Sequence, residues 1–378
     1  MILINAFGIQ DSGGITVLNK LLLECINNGY SFLVVCNKNY NINTIISRYN
    51  VYPNFKFLVV ENKNFLYRLY YENIVFRKII KEYKIDLVYN FSGTAQFFLP
   101  IPQIVKVHNL LFYSKKINKV YFEKKEYFKW IKQIFLKRLV FHSMIKQTQY
   151  IEVQSNHVKE YISDFIDISK KQFFIKSDIE ASKNLFETPK QYDFSKKIRF
   201  LYIVGPHFEY LHKNFEDFVK AMIEFKKEGF DFEVIVTLTK EQLVDSTLWD
   251  KNLDEKTKFL GYISKEELKK QFQNNTILVS TSVIETLGLH VIEGIQNGVL
   301  TISPDELYAK EVYGEDIITY KLFDSQSLVS RVKKLTSYDN NQIEDIILKN
   351  QNYLISNEKQ KYNSIVKIFD EILKEKNV

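Results

Sequence analysis

Two α/β halves in tandem, each built around a doubly wound parallel sheet, are what the sequence predicts. Short apolar runs alternate with segments of helical periodicity along most of the chain. One polar stretch, KSDIEASKNLFETPKQYDFSKK at 176–197, interrupts that alternation and reads as an interdomain linker. The length, 378 residues, exceeds what one hydrophobic core usually fills.

The first half opens on a strand, ILINAF, followed by the loop GIQDSGG. Ile15, Leu18, Leu21, Leu22, Cys25 and Ile26 then recur at helical spacing, and Gly29 stops the helix. SFLVVC is a second buried strand, so the unit is βαβ and its strands should pair in parallel. KFLVV, DLVYNF, QIVKVH and YIEVQS continue the sheet to about residue 175. In the second half FLYIV is a strand. A helix over 214–227 puts Phe215, Phe218, Val219, Met222 and Phe225 on one face, with Asn214 as its N-cap. FEVIVTL follows as a strand, and Ser264 with Glu267 forms a capping box for a helix over 265–273. TILVS, a helix from about Leu287 to Gly298, and VLTIS make another βαβ unit. A last helix, about 358–376, carries Tyr362, Ile365, Val366, Phe369, Ile372 and Leu373 on one face. The expected domains are 1–180 and 195–357, with the last helix packing back on the first.

Composition narrows the function. Hydrophobic residues make up 46% and charged residues 26%, which excludes wholesale disorder. The longest uncharged run, 87–105, is too polar and too interrupted by proline to span a bilayer. MILINAF lacks the basic flank of a secretory signal. The two cysteines, Cys25 and Cys36, lack metal-ligand spacing and read as buried thiols in a reducing cytosol. A net charge of +7 suits a phosphate-bearing partner: a nucleotide, a nucleic acid or an anionic membrane.

The chemistry centres on STSVIETLGLHVIEGIQNGVLTIS, residues 280–303, where Glu285 and Glu293 bracket Gly288. The first amides of the helix there, around Thr286, Leu287, Gly288 and Leu289, lack intrahelical partners and face the carboxyl edge of the sheet. A phosphate fits that position, and Gly288 lets backbone come close. Each glutamate can then accept two hydroxyl protons from a vicinal diol, Glu293 from a ribose and Glu285 from a sugar. The same spacing also suits a carboxylate favoured by the helix dipole followed by a solvated glutamate.

Glu285-x7-Glu293, with TLGLHVIE between and GIQNG after, resembles the E-x7-E motif of retaining glycosyltransferases of family four. FLGYIS at 259–264 resembles the segment that precedes that motif. FLYIVGPHFEYLHKNFEDFVKAM at 200–222 resembles the opening of the family's nucleotide domain, with Gly205 after the strand and Lys213 at its phosphate-binding lysine. IVKVHNLLFYS at 104–114 resembles the His-Asn segment, and SGGITVLNKLL, with Gly13 and Gly14, the N-terminal glycine loop. The resemblance implies a GT-B architecture: two Rossmann-like domains facing a cleft, the second holding a nucleotide-diphospho-sugar and the first an acceptor. It implies transfer with retention, without metal or other cofactor, and the chain contains no D-x-D motif. Lys213 would stabilise the leaving diphosphate, Glu285 and His108 would serve the transferred sugar, and Gly13, Gly14, Gly205 and Glu293 would hold the donor. The chain departs from the family after Gly205, where His207 follows Pro206 and the usual arginine is missing. On residue type alone, His108 after an apolar strand also suits a structural role. Gly13-Gly14 is not a dinucleotide fingerprint, and by itself reads as a tight β–α turn.

Residues 106–147 carry eleven lysines and arginines against two glutamates, with aromatic residues interleaved. Such a stretch suits an anionic membrane surface, a solvated face with inward aromatics, or single-stranded nucleic acid; no nucleic-acid motif accompanies it. The expected protein is a cytoplasmic, peripherally membrane-bound enzyme extending a glycan, lipid-linked, in bacterial O-antigen or capsule synthesis. A nucleotide-sugar 2-epimerase of the same fold and a non-catalytic sugar-nucleotide-binding subunit are the competing readings.

Overall fold

Apolar runs become strands here because helices cover both faces of each sheet, so neither face needs polar side chains. The computed structural model describes residues 1–9, 12–26, 28–205 and 207–376. These residues form two compact units. One comprises the described residues of Met1–Tyr113, Phe128–Asp178 and Lys361–Val378, the other those of Ser114–Tyr127 and Ile179–Gln360.

In the first unit the strands are β1 (Ile2–Ala6), β2 (Phe32–Asn37), β3 (Phe55–Val60), β4 (Leu87–Asn90), β5 (Gln103–Val107), β6 (Tyr150–Val153) and β7 (Gln172–Ile175). They order β3-β2-β1-β4-β5-β6-β7, all in parallel. Strand periodicity divides the core. Ile2, Ile4, Phe32 and Val34 face one cluster, while Leu3, Leu33 and Val35 face the other. In the second unit β8 (Ile198–Tyr202), β9 (Phe232–Val236), β10 (Thr257–Phe259), β11 (Thr276–Val279), β12 (Leu300–Pro304) and β13 (Ile318–Tyr320) order β10-β9-β8-β11-β12-β13, again all parallel. Phe200, Tyr202, Val234 and Ile277 face the larger core, and Leu201, Ile235 and Leu278 the smaller. β7, QFFI, and β13, ITY, are too short for their apolar residues to stand out as strands in the sequence.

Several elements differ from expectation. The first helix begins at Ser12, so Gly13 and Gly14 occupy its first turn rather than a β–α loop. Gln10 and Asp11 of that loop lie outside the described residues. The capping box of Ser264 and Glu267 forms, but its helix ends at Lys269. Asn214 stands at the N-cap of Phe215–Lys227 in a left-handed conformation, φ 48°, and its amide donates to Asp217 at 2.6 Å instead of capping the backbone. The final helical stretch is two helices, Asn340–Glu358 and Ile365–Lys376. Tyr362 lies between them, where its backbone amide donates to Ile175 at 2.9 Å. The linker region makes backbone bonds to the second unit from Glu187 and Lys190 and buries Tyr192 there. Segment 114–127, expected with the first domain, clusters with the second unit. Both cysteines are buried free thiols, and burial pushes Cys36 up to about 12.

Candidate active site

The carboxyl ends of β8, β9, β10 and β11 surround a pocket of about 450 Å³ in the second unit. Such an edge is where open parallel sheets take ligands. Val204 and Gly205 follow β8, Thr237 follows β9, Gly261 and Tyr262 follow β10, and Ser280 and Ser282 follow β11. The Thr237 hydroxyl joins two of these ends, accepting from Val204 N and donating to Val204 O, each at 2.8 Å. Gly261 has φ +66°, and a Cβ there would sit 2.9 Å from Thr239 Cγ2, so both conformation and space demand glycine.

Lys213 enters the same pocket from a short 3₁₀ turn, Leu211–Lys213. That turn is tied to the loop after β11. Thr281 Oγ1 donates to Lys213 O at 2.9 Å, and Val283 N donates to His212 O at 2.8 Å. The tie brings Lys213 Nζ within 2.8 Å of Glu285 Oε1, with Glu285 only 16% exposed. Burial by itself would raise the Glu285 carboxyl; the Lys213 ammonium and hydrogen bonds from Lys213 and Ser282 outweigh it and push the pKa down to about 2. His290 lies at the pocket wall, its Nε2 3.1 Å from Ser280 Oγ. Burial pushes it down to about 4, and burial likewise lowers His212 to about 4. Near neutrality the pocket therefore holds one ammonium beside a fixed carboxylate, with two neutral imidazoles close by.

The helix after Glu285 spans Leu289–Gln296, two residues later than expected. Gly288 is its N-cap at φ +57°, and a Cβ there would lie 2.0 Å from Tyr313 Oη. The helix's own bonding begins with Val291 N to Gly288 O at 2.8 Å. Leu287 is a core residue, packed with Val291, Ile295 and Tyr308, so only its backbone can serve a ligand. Leu289 is exposed. Glu293 is 33% exposed, and Lys265 Nζ lies 3.8 Å away.

Lys213, Glu285, His290 and Ser282 thus converge, with Gly205 on the same pocket. Gly13, Gly14 and His108 belong to the other unit. His108 is exposed just past β5, where a Cβ on Gly93, at φ +83°, would approach its ring to 3.3 Å. His290 and Ser282 were not singled out in the sequence, although both stand in the motif; their signal was a polar residue beside an otherwise apolar strand-to-helix turn. Tyr313 carried no local signal. Among the described residues no group of three or more His, Cys, Asp or Glu could hold a metal ion.

Comparison with known proteins places this geometry. The sequence model of the family described as Glycosyl transferases group 1 matches residues 185–374. No curated protein sequence matches the chain. Among solved structures, sucrose-phosphate synthase from Thermosynechococcus elongatus is similar, with a TM-score of 0.66 and 12% identity over 100% of this chain and 97% of that one. HepE from Anabaena, solved in complex with UDP and glucose, gives 0.63 at 13% identity over 100% and 99%. The lipopolysaccharide outer core galactosyltransferase WaaB gives 0.59 at 15% identity over 99% of each chain. Two parallel-sheet, Rossmann-like units with these neighbours define an enzyme of GT-B fold, a glycosyltransferase. The chain belongs to the glycosyl transferases of group 1.

Proposed function

We propose that this enzyme transfers a sugar from a nucleotide-diphospho-sugar to a glycan acceptor with retention of anomeric configuration. One observation carries the reading: Lys213, held by Glu285, faces a pocket at the carboxyl edge of β8–β11, beside a helix that opens on left-handed Gly288. The Lys213 ammonium and the amides at the helix start stabilise the departing diphosphate as the anomeric C–O bond breaks. The acceptor oxygen attacks from the face that the diphosphate leaves, and its proton passes to a diphosphate oxygen. Glu293 accepts from the ribose hydroxyls, and Glu285 both fixes Lys213 and accepts from the sugar. That HepE was solved with UDP and glucose favours a UDP-sugar as the first donor to try. The reading is tested by incubating the protein with UDP-sugars and a glycan acceptor panel and reading the product's anomeric configuration by NMR. An axial donor linkage should stay axial; an inverted product rejects retention, and epimerised donor formed without acceptor points to the 2-epimerase.

Membrane association belongs to the same proposal, on a smaller surface than the sequence suggested. Lys106 is buried against Glu152 and Asp178, Arg138 is buried and donates to Phe112 O, and Lys116 and Lys124 pair with Glu306 and Glu216. What stays outward in the first unit is Phe128, 90% exposed, with Ile131, Phe135 and Leu139 at spacings of three and four. Lys129 and Lys132 accompany them. A second helix adds Leu66, Tyr70 and Ile74, and its Phe65 ring stacks 6.3 Å from that of Phe141. Exposed apolar residues interspersed with lysine suit an anionic bilayer surface and so a lipid-linked acceptor. Among the described residues no helix is long and apolar enough to cross a membrane.

A further inference from the structure

The first unit has a pocket of its own, about 240 Å³, where Gly8 follows β1, Gly93 follows β4 and His108 follows β5. Its described lining includes Arg68, Lys106 and Lys137 and no carboxylate. These three cations are not equivalent. The Lys106 charge is already matched, since its ammonium lies 2.8 Å from Glu152 and 2.7 Å from Asp178. Arg68 is ion-paired too, with fully buried Glu72, but its hydrogen-bonding capacity is not saturated. Its Nε donates to Glu72 at 3.0 Å, and its Nη2 donates to Ser92 Oγ at 3.0 Å and to Thr94 Oγ1 at 2.6 Å. Glu72 is fully buried in a π-helical turn, Tyr71–Val75, and also accepts from Asn5 at 2.9 Å and Thr94 at 2.8 Å. That network sets the plane of the guanidinium. It leaves Nη1, which makes no hydrogen bond among the described residues, directed past Gly8. A Cβ on Gly8 would lie 2.0 Å from that nitrogen, so any other residue there would displace the arginine. Lys137 lines the pocket half-buried and makes no ion pair among the described residues.

A guanidinium nitrogen held in a fixed orientation and an ammonium without an ion pair among the described residues, in one small pocket, form a receptor for an oxyanion. We propose that this pocket binds the acceptor through a phosphate or carboxylate, so the acceptor is an anionic molecule: a lipid-linked phosphate or an acidic sugar. This rests on the donor reading above, which gives the nucleotide diphosphate its own place in the second unit and leaves this pocket to the other substrate.

Calorimetry with glucose, glucose 6-phosphate, glucuronate and farnesyl diphosphate tests it, each titrated with and without saturating UDP. Probes bearing phosphate or carboxylate should bind at least roughly tenfold tighter than glucose, and Lys137→Gln should remove roughly that advantage. Arg68→Gln should do the same if it folds; Lys137→Gln, at a half-exposed position, keeps the test decisive if it does not. Farnesyl diphosphate binding tightest identifies a lipid-linked acceptor, and glucuronate or glucose 6-phosphate binding tightest identifies an acidic sugar. Acidic probes that bind no better than glucose, or whose affinity is unchanged in Lys137→Gln, overturn the proposal. Failure of UDP to bind would overturn the donor reading instead, and the titrations without UDP would still decide the anion site.

Discussion

Lys213 stands where two effects compete for one charge. Glu285 lies 2.8 Å from its ammonium, and the proposed diphosphate must share that cation. No arginine occurs between Gly205 and Lys213 to help; His207 and His212 are the basic side chains there. Lys213→Ala should therefore lower kcat by roughly 10²–10³, as for loss of one oxyanion donor, with a smaller change in donor affinity. Steady-state kinetics at saturating donor checks this; near-normal kcat would assign the role elsewhere. The histidines give a pH signature. Burial depresses His290 and His212 to about 4 from an ordinary 6.5, so between those values the unfolded chain binds more protons than the native one. Stability should be full above about pH 6.5 and fall as pH drops toward 4. Glu285, held near 2, adds a loss in the same direction below the ordinary carboxylate range. Thermal melts across pH 4–8 should show this slope, and His290→Gln should flatten it.

At the scale of elements, the start of helix Leu289–Gln296 depends on one glycine for two separate reasons. Gly288 is left-handed, and its missing Cβ is the space taken by Tyr313 Oη. Gly288→Ala should cost more than the ~1 kcal/mol of the backbone conformation alone, because the hydroxyl must also move. Tyr313 Oη makes no hydrogen bond among the described residues, so Tyr313→Phe should be neutral or mildly stabilising and should partly rescue Gly288→Ala. Denaturant melts of the double-mutant cycle measure this, and strict additivity would show that the clash is not the cause. The helical segment from Tyr127 to Gln147 offers a second test. Lys129→Glu with Lys132→Glu should abolish co-sedimentation with anionic vesicles at low salt, and raising the salt should weaken the wild type. Wild-type protein that stays in the supernatant at low salt would reject the membrane face.

At the scale of the whole molecule, neither unit is one continuous stretch of chain. Helix Ile365–Lys376 follows the second unit in sequence yet completes the core of the first. Its Ile365, Ile368, Phe369 and Ile372 are fully buried, and Phe369 packs against Tyr89 with ring centroids 5.4 Å apart. Removing four such side chains at ~1.5–3 kcal/mol each takes away about as much as a domain's whole stability. Truncation after Gln360 should therefore unfold the first unit. The loss of its native contacts by NMR, with second-unit resonances retained, is the expected outcome; a fully native spectrum would contradict it.

The sequence by itself determined the alternation of strands and helices, because burying a parallel strand on both faces forces an unbroken apolar run and an amphipathic helix forces its 3.6-residue period. It also determined Glu285 and Gly288 as candidates, because a helix start at a sheet's carboxyl edge is a local feature with a local signature, whereas Lys213 was singled out only by the resemblance of residues 200–222 to a known nucleotide domain. Only the tertiary structure decided what depends on residues far apart in the chain. Lys213 and Glu285 meet because a hydroxyl and an amide after β11 tie back to the turn at 211–213. Lys106, counted with a basic face, is instead a buried partner of Glu152 and Asp178. Tyr313, twenty-five residues beyond Gly288, sets that glycine's necessity. Arg68 owes its orientation to Glu72, Ser92 and Thr94. Charge and periodicity reveal what a residue can do; which partner neutralises, orients or crowds it is fixed by packing, which composition and spacing do not encode.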